Sequence, residues 1–141
     1  MGVLESSLSV MVKVPRVERM PLDAILDRTF AAAEANDWVT FRSMFADDAV
    51  MKQNVGPEQL IGHAMKTLPR LTADGTTLRY ENIRRVRGKS NITEMHDAVF
   101  TKPDGRVVRI DLCVVVQFND DGKITRTDEY LDSAATAGLL G

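Results

Sequence analysis

Two acidic residues in the C-terminal half of the chain carry the clearest suggestion of chemistry. Asp97 lies in a strand-like run over 92–101 and shares a face with Met95 and Val99, whereas Glu129 lies in a second run over 123–131 and shares a face with Thr127 and Leu131. If both faces turn toward an apolar interior, two carboxyls enter one pocket. Burial raises the pKa of each, and proximity makes the second ionisation harder, so one stays protonated beside an ionised partner. That is a general acid next to a general base. The alternation is equally compatible with carboxylates at the pocket rim, solvated or paired with an arginine such as Arg84.

The neighbouring candidates read more plainly. His96 alternates away from Asp97, with Glu94 and Ala98, which suits a surface or interface histidine better than a catalyst. Arg109 and Asp111 read as a cross-strand or intersubunit ion pair. Cys113, between Leu112 and Val114, reads as a buried inert thiol. The expected lining of the pocket is Met95 and Val99 beside Asp97, Leu131 beside Glu129, and Ile110, Leu112 and Val114 from the strand between them.

These residues need a sheet with helices over one face. Leu22, Ile25, Leu26, Phe30 and Ala33 recur at helical steps after Pro21, which fits a first helical turn, and predict an amphipathic helix ending near Asn36. Asp37 can cap a second short helix that places Trp38, Phe41 and Phe45 on one face, closed by Asp47 and Asp48. A short strand is expected over 49–53. Gly56-Pro57 then starts a third helix with Leu60, Ala64, Met65 and Leu68 inward, stopped by Pro69. From there the chain is rich in β-formers over 76–87, 92–101, 106–118 and 123–131, joined by short turns that force antiparallel neighbours. Helices first and a strand meander afterwards is an α+β pattern, with three N-terminal helices packed on a curved, mainly antiparallel sheet.

Length and composition narrow the partners. A chain of 141 residues with 44% hydrophobic content suits one core, expected over 21–132, between a weakly ordered N-terminal arm over 1–20 and a C-terminal tail over 133–141. A formal charge of −2 with no basic, aromatic-studded stretch argues against nucleic acid. One cysteine, no Cys/His cluster with metal-ligand spacing, and no apolar run of membrane length suggest a cytoplasmic protein that needs no metal or other cofactor. Ile110, Leu112, Val114 and Val116 on one face of their strand leave Arg109, Asp111, Cys113 and Val115 on the other. Both faces carry apolar groups, so a homodimer through the second face is expected.

Several short motifs resemble the superfamily named after nuclear transport factor two. They are Asn36-Asp37-Trp38 leading to Met44-Phe45-Ala46-Asp47-Asp48-Ala49-Val50, then Leu60-Ile61-Gly62, and Val116-Gln117-Phe118 with Asp121-Gly122-Lys123-Ile124. The resemblance implies a cone-shaped α+β barrel with a deep pocket, commonly dimeric. Within the superfamily the chain looks closest to the limonene-epoxide hydrolase and SnoaL-like polyketide cyclase group. That likeness implies Asp97 as the acid that protonates an epoxide oxygen, Glu129 as the base that activates water, and Asn54 as the residue that holds that water. Met95 falls where the hydrolases have an arginine bridging the two carboxylates. The implied activity is cofactor-independent acid–base catalysis on a small hydrophobic oxygenated molecule, by epoxide hydrolysis, hydration, cyclisation or isomerisation. The alternative is a non-catalytic module of the same fold that binds a hydrophobic ligand or serves dimerisation.

Overall fold

The computed structural model describes residues 20–139, so the N-terminal arm expected over 1–20 lies almost wholly outside the described residues. Helix α1 (Leu22–Glu34) buries Ile25, Leu26, Thr29, Ala32 and Ala33, the one-sided stripe expected of an amphipathic helix lying on a sheet. It stops at Asn36, whose left-handed backbone (φ 59°) turns the chain while Asp37 N–H donates back to the Ala32 carbonyl at 2.8 Å. Asp37 then caps α2 (Trp38–Ser43) by accepting from Thr40 N–H at 3.0 Å, as its position predicts.

The rest is a six-stranded sheet. Its strands are β1 (Phe45–Gln53), β2 (Gln59–Leu60), β3 (Thr77–Arg87), β4 (Asn91–Thr101), β5 (Val107–Phe118) and β6 (Ile124–Leu131), in spatial order β2-β1-β6-β5-β4-β3. The three hairpin steps from β3 to β6 are antiparallel, as their short loops require, while β1 runs parallel to β6. Register shifts in β1, in β3 between Glu81 and Arg84, and between β5 and β6 bend the strands. The curved inner face meets α1 and α2 over a core that includes Leu26, Phe41, Phe45, Ile92, Val116 and Ile124.

The helical part differs from the sequence expectation in one place. Instead of one helix from Pro57 to Leu68, Gln59–Leu60 pair with β1, with Leu60 opposite Val50, and only Ile61–Ala64 (α3) are α-helical before a 3-10 turn over Leu68–Leu71. Backbone partners on the β1 edge satisfy Gln59 and Leu60 better than a helix start would, and Pro69 brings no N–H to continue an earlier helix. Leu60 is therefore exposed, and Ile61 takes the buried place it was expected to fill.

The chain after β6 returns to the body. Asp132 caps a 3-10 turn over Ser133–Thr136, and buried Leu139 is held by the Lys102 ammonium, which donates to its carbonyl at 2.8 Å and pairs with Asp74 at 3.1 Å. No helix among the described residues is long and apolar enough to cross a membrane.

Candidate active site

Alternation on β4 and β5 decides what reaches the interior. Ala98 lies opposite Ile110, His96 opposite Leu112, Glu94 opposite Val114 and Ile92 opposite Val116, so these eight residues share one face. The Ile110 to Val116 series faces the helices as its apolar pattern predicts, and it carries Glu94 and His96 inward with it. Met95, Asp97 and Val99 consequently point to the outer face, together with Arg109, Asp111, Cys113 and Val115.

A cavity of about 510 Å³ lies between the helices and the inner face, large enough for a molecule of a few fused rings. Ile110, Leu112, Val114 and Leu131 line it, along with Phe30, Trp38, Phe41, Phe45 and Phe100. Met95 and Val99 do not, because a one-residue change of phase sends every side chain of β4 to the other face.

Polar groups are few in this cavity and each has a distinct setting. His96 and Glu94 are almost wholly buried, and Glu94 Oε2 pairs with His96 Nδ1 while Glu94 Oε1 accepts from Arg85 Nε at 2.6 Å. Arg85 reaches on to Asp27 at 2.6 Å and Asp23 at 3.5 Å on α1. An ionised carboxylate only accepts, so Glu94 fixes the proton of His96 on Nδ1 and leaves the Nε2 lone pair for the cavity. Phe30 meets the imidazole edge to face at 5.1 Å and Tyr80 packs on it at 4.7 Å, fixing the ring plane.

Tyr80 also lines the cavity, and its hydroxyl has no partner among the described residues. Burial pushes its pKa upward, and any ionised carboxylate among Glu129, Glu34 and Glu94 pushes it further, so it remains a hydrogen-bond donor. Glu129, from β6, lines the same cavity and accepts from Gln53 Nε2 at 3.1 Å. Burial raises its pKa against the opposing pull of the Gln53 hydrogen bond and the nearby His96. β6 is separated from β4 by β5, so Glu129 and His96 face the cavity from strands about 10 Å apart.

The raised pKa of Glu129 has a testable sign. The unfolded chain releases this proton near the ordinary value of 4.5, while the folded chain retains it to higher pH, so the native state binds more protons between the two values. Stability is therefore lost as pH rises through that window. Glu129→Gln keeps an acceptor for Gln53 and removes the titration; melting curves from pH 4 to 8 are expected to show the Gln variant pulling ahead as pH rises. A constant gap across that range would contradict the burial of this carboxyl.

Asp97 is placed otherwise than the sequence suggested. Its carboxylate accepts from Asn82 Nδ2 at 2.7 Å and from Arg109 at 3.2 Å on the outer face, and Arg109 also holds Glu81 at 3.1 Å. Hydrogen bonds from Asn82 and Asp111, with Arg109 nearby, keep Asp97 below the usual carboxylate range, while Asp111, directly opposite, is raised by Asp97. The carboxyl that faces Asp97 is therefore Asp111, across the β4–β5 ladder on the outer face, and not Glu129. Asn54 spends both ends of its amide on the Leu131 backbone, donating to the carbonyl at 3.0 Å and accepting from N–H at 3.2 Å, so it extends the sheet edge and is not set to hold water.

Comparison with known proteins places this architecture. The sequence model of the SnoaL-like domain matches residues 26–127. No functionally curated protein matches the chain by sequence. Among solved structures, a candidate polyketide cyclase from Xanthomonas campestris pv. campestris is similar with a TM-score of 0.70 at 14% identity, over 85% of this chain and 96% of that one. An LEH-like epoxide hydrolase from M. tuberculosis gives 0.67 at 20% identity over 83% and 87% of the two chains. TerC co-crystallised with polyporic acid gives 0.67 at 17% identity over 86% and 98%. At such identities these likenesses speak for the fold alone.

Proposed function

The chain belongs to the SnoaL-like domain family, and from that premise we propose that it is a cofactor-independent acid–base enzyme acting on a small hydrophobic ketone or enol, by isomerisation or cyclisation. The observation that carries this reading is the Arg85–Glu94–His96 chain, which ends with one ring nitrogen turned to an apolar cavity. His96 Nε2 takes a proton from the carbon next to the substrate carbonyl, and the electron pair moves onto the oxygen. The Tyr80 hydroxyl, or the carboxyl of Glu129 when it holds its proton, donates to that oxygen as charge develops; the proton on His96 then returns to a different carbon, or the carbanion adds to a second carbonyl of the same molecule, whose π pair moves to its oxygen and takes that proton.

Direct opening of an epoxide between two carboxyls is less well supported. It needs a second acid in the cavity, and Asp97 is on the outer face. It also needs a held water, and Asn54 is committed to Leu131. Proton exchange tests the proposal without knowledge of the natural substrate. In deuterium oxide, 1-tetralone is expected to lose its α-proton signal faster with the protein than with buffer, and a His96→Asn variant is expected to lose that acceleration. Binding of the ketone without exchange would leave the pocket as a ligand-binding site only.

We also propose self-association through the outer face, where exposed Tyr130 joins half-buried Met95, Cys113 and Val115. Light scattering at micromolar concentration is expected to give twice the 15.6 kDa chain mass, and a monomer there counts against it.

A further inference from the structure

The cavity does not end at Glu129. A second chamber of about 320 Å³ opens beside it under the 3-10 turn over Leu68–Leu71, and Met51, Gln53, Leu68, Leu71, Thr127 and Glu129 line both. These six residues form a neck. The inner chamber is lined mainly by aromatic and aliphatic side chains, whereas the outer one carries Lys52 and Arg70. Lys52 is tied to the Gln53 and Gly56 carbonyls at 2.5 and 2.8 Å, but the Arg70 guanidinium has no partner among the described residues.

The neck holds one further unspent group. Thr127 is 6% exposed, and its Oγ, fully shielded from solvent, has no hydrogen-bond partner among the described residues. A buried hydroxyl left unsatisfied costs stability, and valine would fill the same space without that cost. The sequence nevertheless places threonine there, two residues before Glu129 on the same face of β6. An oxygen atom of a bound molecule is the partner this hydroxyl lacks.

We propose that the substrate is a hydrophobic acid spanning both chambers, with its ring system in the inner one, a carbonyl or hydroxyl oxygen accepting from Thr127 at the neck, and an anionic group at Arg70. The inference rests on the acid–base reading only for the step that follows binding. A ketone oxygen at the neck lies beside the carboxyl of Glu129, one of the two donors that step can use. Arg70 supplies the one uncommitted cation beside the passage, and a carboxylate offers its fork two acceptors.

Titration calorimetry with three synthetic probes separates the parts. They are 4-(2-naphthyl)-4-oxobutanoic acid, its methyl ester, which lacks the charge, and 4-(2-naphthyl)butanoic acid, which lacks the ketone oxygen. The keto acid is expected to bind about fivefold tighter than the ester, as an ion pair to an exposed arginine allows, and Arg70→Gln is expected to erase that difference. It is expected to bind about tenfold tighter than the deoxy acid, and Thr127→Val is expected to erase that difference alone. The same Thr127→Val variant, free of ligand, is expected to melt about 3 °C higher, which a hydroxyl serving the fold would not allow. Equal affinity for acid and ester in the unaltered protein, or a ketone preference that survives Thr127→Val, overturns the inference. Probe preferences that hold while 1-tetralone exchange fails would overturn the acid–base reading and leave the substrate class standing. The reverse result would do the opposite.

Discussion

His96→Asn is expected to lower the rate of 1-tetralone proton exchange by about 10²- to 10⁴-fold, the usual contribution of a positioned general base. Asparagine is the informative replacement because its amide N–H can still donate to Glu94 where Nδ1 does now, so the buried carboxylate keeps a partner. What disappears is the Nε2 lone pair at the cavity. Affinity for the ketone is expected to stay within about threefold, since His96 supplies little of the apolar lining, so the loss falls on kcat and not on KM. The measurement is the decay of the α-proton signal at saturating ketone, with Asp97→Asn as control. Asp97 binds Asn82 and Arg109 on the outer face, and its variant is expected to exchange at the original rate. Equal loss in both variants would point to damage to the fold, and full activity in His96→Asn would remove the histidine from the mechanism.

The difference between these two neighbours shows how far the sequence could be read. Both helices of the N-terminal hairpin follow from Pro21, the stripe from Leu22 to Ala33 and the cap at Asp37, because those signals are local. The four-strand meander follows from its turns for the same reason. Glu129 is legible too, since two-residue steps from Thr127 to Leu131 on β6 place the three on one face, all lining the cavity. The face of β4 was harder: it carries apolar residues on both sides, Met95 and Val99 on one and Ile92, Ala98 and Phe100 on the other. Periodicity therefore expresses no preference, and the alternation that sets Asp97 beside Met95 and Val99 fits either face.

A signal that could have decided the matter lies in the Pro103-Asp104-Gly105 turn. Closing that hairpin with Thr101 opposite Val107 puts His96 opposite Leu112 and Glu94 opposite Val114, on the face the β5 pattern had already assigned to the interior. Pairing across strands fixes phase where the pattern of one strand cannot. Two other features had no comparable local signal. The Arg85 link to Asp23 and Asp27 depends on how α1 lies across β3, and the pairing of Gln59–Leu60 with β1 depends on where the sheet edge falls.

That link across α1 underlies the largest expected effect on stability. Glu94 is fully buried with both carboxylate oxygens in use, one on Arg85 and one on His96. Glu94→Leu leaves His96 Nδ1 in an apolar setting without a partner and Arg85 half-buried with only the more exposed carboxylates of α1. Breaking a buried pair in this way costs about 3–5 kcal/mol, a large part of the roughly 5–15 kcal/mol that holds a domain together. Glu94→Gln is expected to cost less, about 1–2 kcal/mol, because the amide keeps the shape and its oxygen can still accept from Arg85. Its NH₂ group then faces His96 Nδ1 and requires an acceptor there, so the imidazole proton must move to Nε2. The variant thus folds with its histidine in the wrong tautomer for a base, and proton exchange is expected to fall nearly as far as in His96→Asn. Urea unfolding supplies the stabilities and the tetralone assay supplies the rates. A fold loosened by less than about 1 kcal/mol in Glu94→Leu would mean that the network holds nothing together. A Glu94→Gln variant with unchanged exchange would mean that the tautomer of His96 does not matter.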